Sequence, residues 1–282
     1  MDGIIIINKE KDQTSRDVVN YFNDFFEMTK IGHAGTLDPI ATGVLIICLG
    51  KTTKLNELLS GSNKEYIATM KLGIKTDTYD ITGAVINQSD IKVNNEDIKE
   101  ALVHFQGEYE QEVPIYSAVK VNGRKLYEYA RNNQPVVLPK RLVKIYSIEP
   151  INITGNLVTF KCMVSKGTYI RSLINDLGNY LGCYATMTEL TRTKQGIYNI
   201  EDAVKISEIN SDNNHLISLE EIFKMFPKEI VDGEKLKLIS NGAVIDKDFN
   251  DEYIVYYDDI KPLAIYYPYP KDLTKAKPYL ML

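Results

Sequence analysis

Two runs of alternating apolar and polar residues, Arg141 to Ile151 and Leu157 to Ser165, are separated only by Asn152-Ile153-Thr154-Gly155-Asn156. Side chains change face at every step of a strand, and a short glycine-containing link turns the chain back on itself, so this stretch predicts an antiparallel pair. A sheet with an apolar face needs cover, and helical spacing supplies it in three places. Thr14 or Ser15 can cap a helix carrying Val18, Val19, Phe22, Phe25 and Phe26, and Asn94 to Phe105 sets Ile98, Ala101, Leu102 and Phe105 on one side before Gly107. Thr168 to Tyr180 does the same with Ile170, Leu173, Ile174, Leu177 and then Leu181, and Gly182 can close it. Gly3 to Asn8, Val44 to Leu49 and Tyr66 to Gly73 read as further strands, with a helix from about Thr52 to Ser60. Strand pairs mixed with helices predict an α+β fold with a mixed, largely antiparallel sheet. After Phe226-Pro227 the sequence changes to short tyrosine-rich strand patterns such as Tyr253 to Tyr257 and Leu263 to Tyr267. The division expected is 1–227 for the main domain and 228–282 for a small β domain.

Several classes of chemistry are disfavoured. The apolar run Ile4 to Ile7 is too short for a signal-peptide core or a membrane span and has no basic flank before it, so a cytoplasmic protein is expected. Cys48, Cys162 and Cys183 are scattered and odd in number, and His33, His104 and His215 form no ligand pair, so neither a disulfide framework nor a metal site is expected. Gly50-Lys51-Thr52 ends as a nucleotide-binding P-loop does, but six residues separate Gly43 from Gly50 where four are needed to wrap phosphates, and they are aliphatics and a cysteine suited to a buried strand.

The net charge of −5 argues against nucleic acid, because phosphate binding relies on Lys and Arg; the distribution argues for it. Between 120 and 144 lie Lys120, Arg124, Lys125, Arg131, Lys140, Arg141 and Lys144, with Tyr127 and Tyr129 among them and Glu128 as the only acid. Basic residues interleaved with aromatics suit an RNA loop, gripped through its phosphates and stacked bases, although a plain solvated surface has the same composition.

The loop Gly32-His33-Ala34-Gly35-Thr36-Leu37-Asp38-Pro39 is the unusual segment. Its glycines permit tight turns and Pro39 holds Asp38 extended, which presents a carboxylate on a shaped loop. On spacing alone, an aspartate that only bonds its own turn is the commoner case. Tyr66 and Tyr169, each near a lysine, fit packing roles better than binding ones when taken singly. Arg171 is more informative, since a guanidinium on an apolar helix face requires a carboxylate partner.

Taken together, several ordered motifs resemble the TruB-type tRNA pseudouridine synthases over nearly the whole chain. They are Lys30 to Pro39 with Ala41-Thr42-Gly43-Val44-Leu45; Tyr66 with Leu72-Gly73 and Thr76-Asp77-Thr78; Tyr116-Ser117-Ala118-Val119-Lys120; and Ser165-Lys166-Gly167-Thr168-Tyr169-Ile170-Arg171-Ser172-Leu173. The resemblance implies that Asp38 is the catalytic aspartate, Tyr66 the aromatic stacked on the target base, and Arg171 the ion-pair partner of Asp38. It places His33, Tyr169 and Leu190 at further substrate contacts, an RNA-gripping insertion near 114–142, and a PUA-like fold at the C-terminus. Lys9, Lys120, Arg124 and Arg141 are expected to meet RNA. The implied substrate is the uridine at position 55 in the T loop of tRNA, handled by a monomer with no cofactor, no membrane and no obligate protein partner. The chain departs from the family pattern at Asn8-Lys9-Glu10-Lys11-Asp12, where proline and glycine normally stand at 10 and 12, and at Val113-Pro114, where Pro-Pro is usual.

Pseudouridine formation breaks C1′–N1 and joins C1′ to C5. Asp38 can attack C1′ or C6, or act as a base on the ribose, and the sequence does not choose among these. Arg171 keeps it ionised and aimed. The nucleotide has to leave its stack, at a cost of a few kcal/mol. Tyr66 suits the stacking and its phenol can move the C5 proton, while His33 can enter the gap left by the base. The competing reading is a non-catalytic tRNA-binding or folding-helper protein on the same scaffold.

Overall fold

The computed structural model describes residues 1–210 and 213–282. Its centre is a ten-stranded mixed sheet in which the strands run Ile217–Ser218, Gly3–Lys9, Thr42–Leu49, Ala185–Gln195, Lys64–Leu72, Leu157–Val164, Lys140–Thr154 and Gly107–Glu112. Ile31–Ala34 pairs with Thr42–Leu49, and Tyr198–Asn199 with Ala185–Gln195. Nearly all pairings are antiparallel; the exception at the middle is Thr42–Leu49 beside Ala185–Gln195, parallel through Thr191 opposite Thr42 and Arg192 opposite Gly43.

The continuous apolar runs exist because these strands are covered on both sides. Ile5, Ile7, Leu45, Ile47 and Leu49 face a core shared with the helices Ser15–Phe25, Asn95–His104 and Ile170–Tyr180, while Ile4, Ile6, Val44, Ile46 and Cys48 face a second core. The period of two makes adjacent residues serve opposite cores. The three cysteines are free and buried. No helix among the described residues is long and apolar enough to cross a membrane.

Most expected elements are present, with informative differences. Thr14 caps the first helix through a capping box: Asp17 N–H donates to Thr14 Oγ1 at 3.0 Å, and Thr14 N–H donates to Asp17 Oδ2 at 2.8 Å. The hairpin is longer than the alternation suggests, because Thr154 still pairs with Leu157 and Gly155, at φ +61°, makes the turn with Asn156. Gly50–Leu55 is a 3-10 helix, so the α-helix expected from Thr52 is confined to Asn56–Ser60. Gly32, His33 and Ala34 belong to a strand, because burial of Ile31 and Ala34 favours pairing with Thr42–Leu49. The Gly-Lys-Thr segment carries no phosphate cradle: Asp2 Oδ1 already accepts from Lys51 N–H at 2.6 Å.

Beyond Phe226-Pro227, Lys228–Ile230, Ile254–Tyr257, Pro262–Tyr269, Asp272–Met281 and Ile245–Asp246 form a five-stranded sheet consistent with a PUA-like fold. The segment is not purely β, since Gly233–Ser240 is helical. Val231, Ile239, Tyr256 and Tyr266 make a core of its own, yet Val255, Ile265 and Leu280 share the second core of the main sheet. The small sheet is thus fastened to the back of the large one by apolar burial.

Candidate active site

Asp38 sits where the chain passes from the strand Ile31–Ala34 to Thr42–Leu49, and almost every carbonyl of that crossing is held. Arg192, fully buried, donates to Val44 O at 2.7 Å, Gly35 O at 2.9 Å and Thr36 O at 3.4 Å. Gln195 Nε2 donates to Ala34 O at 2.8 Å. Ser15 Oγ accepts from Leu37 N–H at 2.9 Å and lies 3.2 Å from Leu37 O, and Asp12 N–H donates to Pro39 O at 2.8 Å. Such extensive satisfaction is what a buried irregular loop requires. Gly43 is needed for the close parallel approach: it has φ +98°, and a Cβ there would lie 2.2 Å from Arg192 O.

Arg171 enters from the first turn of the helix Ile170–Tyr180 and is 4% exposed. Its Nε donates to Asp38 Oδ2 at 2.8 Å and its Nη2 to Asp38 Oδ1 at 3.1 Å, a two-pronged ion pair that fixes both carboxylate oxygens. The remaining donors reach Tyr116 O at 3.0 Å and Thr78 O at 3.1 Å, so one guanidinium joins three loops. Asp80, also buried, stands 3.9 Å from Nε and adds a second carboxylate beside the guanidinium.

The Asp38 carboxylate opens onto a pocket of about 490 Å³ walled by Gly35, Thr36, Leu37, Tyr66, Tyr116, Ser117, Ala118, Tyr169 and Leu190, with Lys64, Arg141, Lys166 and Arg192 contributing positive charge. Tyr66 lies on the strand Lys64–Leu72, opposite Cys162 on one neighbour and Arg192 on the other. Burial raises its pKa and the Arg192 charge works against that, so the phenol is neutral at pH 7. Lys64 donates to Ser60 O at 2.9 Å and Ser62 O at 2.8 Å; burial, with Arg192 and Lys166 nearby, lowers it to about 8.

Of the residues expected from sequence, Asp38, Tyr66, Tyr169, Arg171, Leu190 and Arg141 meet at this pocket. His33 does not wall it: it sits in the strand Ile31–Ala34 with a buried Nδ1 that has no hydrogen-bond partner among the described residues, and burial depresses its pKa. The expectation that Lys9 meets RNA is corrected. Lys9 is fully buried and donates to Glu10 O at 2.8 Å, Gln13 O at 2.7 Å and Pro39 O at 3.4 Å, which supports the Asp38 loop from beneath. The departure at Asp12 is accommodated locally, since Asp12 adopts φ +66°, a region that glycine enters freely and aspartate tolerates.

Lys120 and Arg124 stand apart from the pocket on the small hairpin Lys120–Val121 and Arg124–Lys125, followed by the helix Leu126–Arg131. Arg124 lies over the Tyr129 ring at 5.2 Å, and Lys125 and Arg131 lie over Tyr127 at 5.4 and 5.3 Å. Tyr129 also donates to Val121 O at 3.0 Å, so of the two tyrosines it is Tyr127 that reaches the pocket wall. Arg192 and Asp80 escaped the sequence reading. The signal for Arg192 was a cation two residues after Leu190 in an alternating strand, which places it on the same inward face.

Known proteins are similar to this chain along nearly its whole length. A model described as TruB family pseudouridylate synthase (N terminal domain) matches residues 23–170, and one described as tRNA pseudouridylate synthase B C-terminal domain matches residues 171–226. A Clostridium kluyveri protein named tRNA pseudouridine synthase B is 43% identical over 274 residues, covering 94% of this chain and 95% of that one. A Thermotoga maritima protein of the same name is 41% identical over 253 residues, covering 89% and 82%. Among solved structures, one titled as a Cbf5-Nop10-Gar1 complex superposes with a TM-score of 0.72 at 26% identity, over 99% of this chain and 83% of that chain. With adjoining family models on either side of the Ile170–Arg171 junction and relatives at these identities along nearly its full length, the chain belongs to the TruB family of pseudouridylate synthases.

Proposed function

We propose that this protein isomerises the uridine at position 55 in the T loop of tRNA to pseudouridine, with Asp38 as the catalytic carboxylate. The observation that carries the reading is the two-pronged Arg171–Asp38 pair at the wall of an otherwise open pocket. A structural ion pair gains nothing from facing a cavity, whereas a reactive carboxylate must be both held and reachable; the Asp38 side chain is 34% exposed while that of Arg171 is 5% exposed. The relatives named tRNA pseudouridine synthase B support tRNA as substrate. This favours the enzyme over a non-catalytic tRNA-binding or folding-helper protein.

The target nucleotide swings out of the T loop into the pocket, where the neutral Tyr66 ring offers a stacking face and Leu190 an apolar floor. Arg171 grips both oxygens of Asp38 and directs them at the sugar and base. The C1′–N1 bond breaks, the uracil turns while enclosed, C1′ bonds to C5, and the C5 proton departs as N1 gains one. Substrate and product are isomers, so atoms and electrons balance without a co-reactant. Arg141 and Lys166 at the rim, and Lys120 and Arg124 on the hairpin, supply phosphate contacts. The chain acts as a monomer.

The test is to incubate the protein with unmodified tRNA transcripts and map pseudouridine along each. Modification at position 55 is expected. Binding without any modification supports the non-catalytic reading, and modification elsewhere refutes the assigned substrate.

A further inference from the structure

Among the described residues, Gly107–Glu112 is the last strand of the main sheet and pairs on one side only, with Lys140–Thr154. Glu110 and Glu112 on it are exposed, but Gln111 between them is 1% exposed. Its amide engages both backbone polar groups of Tyr169. Gln111 Oε1 accepts from Tyr169 N–H at 2.7 Å, and Nε2 donates to Tyr169 O at 3.1 Å. The same Nε2 donates to the Tyr109 hydroxyl at 2.6 Å, which lies 3.5 Å from Asp176 Oδ2. The amide therefore completes a strand-like pairing with a single residue beyond the sheet edge. Its orientation is dictated, because Tyr169 offers one donor and one acceptor and only an unflipped amide matches both.

Tyr169 is the residue from which the helix Ile170–Tyr180 starts, and its own side chain makes no capping bond. Its backbone is extended, at φ −100° and ψ 113°, and its carbonyl also receives the helical bond from Leu173 N–H at 3.0 Å. Arg171 lies two residues on, and Ser172 Oγ donates to Glu112 O at 2.8 Å, tying the same turn to the same strand. An unsecured helix start frays or slides, since its first N–H groups lack helical partners.

We propose that Gln111 is a positioning residue for the isomerisation, clamping Tyr169 so that the helix begins where Tyr169 meets the substrate and Arg171 meets Asp38. Gln111 touches neither the pocket nor the reacting atoms; it acts through those two residues. The proposal rests on the reading of Asp38 and Arg171 given above. Misplacing a catalytic group by about 1 Å costs on the order of a hundredfold in rate. Removing the clamp should therefore slow conversion while leaving the basic rim and hairpin free to hold tRNA.

Three variants test this: Gln111→Leu, which removes both bonds to Tyr169 together with the one to Tyr109; Gln111→Glu, nearly the same size, which keeps an acceptor for Tyr169 N–H but turns an oxygen toward Tyr169 O; and Tyr109→Phe, which removes the bond from Gln111 Nε2 to the Tyr109 hydroxyl and the link to Asp176 but leaves both bonds to Tyr169. Each is measured for single-turnover conversion at saturating tRNA, for tRNA affinity and for cooperative melting. Both Gln111 variants should convert at least tenfold more slowly than the parent with tRNA affinity within about threefold, and Tyr109→Phe should convert within about threefold of the parent. If Gln111→Leu fails to fold, Gln111→Glu alone decides. A loss under tenfold, a loss confined to tRNA affinity, or absence of a cooperative melt in both Gln111 variants overturns the positioning role. An inactive parent overturns the functional reading itself; an active parent with undiminished variants overturns only the clamp.

Discussion

Replacing Arg171 with lysine keeps the positive charge and removes the fork. In the native arrangement four donor contacts leave this side chain, two to Asp38 and one each to Thr78 O and Tyr116 O. A lysine ammonium offers a point charge that can meet one Asp38 oxygen at a time, so the carboxylate loses its fixed orientation and two carbonyls lose their donor. A hydrogen bond to a charged group contributes about 1.5–3 kcal/mol, and breaking a fully buried ion pair costs about 3–5 kcal/mol. The Asp38 side chain is 34% exposed, which puts this pair at the lower end, about 3 kcal/mol. At about 1.4 kcal/mol per factor of ten, Arg171→Lys should slow the chemical step on the order of a hundredfold. Single-turnover release of tritium from tRNA labelled at uridine C5, with tRNA affinity measured alongside, isolates that step. A rate within threefold of the parent, or a defect lying wholly in affinity, would refute the argument that the two-pronged geometry serves catalysis.

Other consequences are equally concrete. Gly43→Ala pushes a Cβ to 2.2 Å from Arg192 O at φ +98°, and should cost more than about 2 kcal/mol of stability, read as a fall of several degrees in melting temperature. Asp176 has its pKa raised to about 6, chiefly by burial, with Glu112 adding to it. The folded state then binds this proton more tightly than the unfolded chain, so its contribution to stability rises as pH falls from about 6 toward 4 and is lost as pH climbs through 6. Asp176→Asn should flatten the pH dependence of melting across that window; an unchanged profile would assign the effect to other groups. Arg141→Ala should weaken tRNA binding and reduce the slope of log affinity against log salt by about one, measured by titration at several salt concentrations.

The Asp38 loop and Arg171 stand out locally, one by glycine and proline spacing and the other as a cation on an apolar helix face, but spacing alone favours a structural turn for Asp38, and it is the family resemblance that implies their pairing, present in the structure at 2.8 Å. Lys9 misled for the converse reason: nothing near it in sequence says that its ammonium will be enclosed by Glu10 O, Gln13 O and Pro39 O. Alternation puts Arg192 on the inward face, but its partners, like those of Gln111 at Tyr169, are not readable from sequence, because they are 148 to 157 and 58 residues away, respectively, and only the assembled sheet brings them together. The parallel contact of Thr42–Leu49 with Ala185–Gln195 was hidden likewise, since alternation reveals a strand but not its neighbour. In the C-terminal segment, Val255, Ile265 and Leu280 fit strand patterns, yet their burial against the main sheet depends on a surface formed by residues near 4–6 and 44–48.

The central claim is that Asp38 performs the isomerisation. Asp38→Asn preserves size and can still meet Arg171 through its amide oxygen, but it removes the charge that attack or proton abstraction requires. The decisive measurement is tritium release from C5-labelled tRNA by this variant at enzyme concentrations that saturate the RNA. No release with tRNA affinity within about threefold of the parent is the predicted result, and release at a rate approaching the parent's would contradict it.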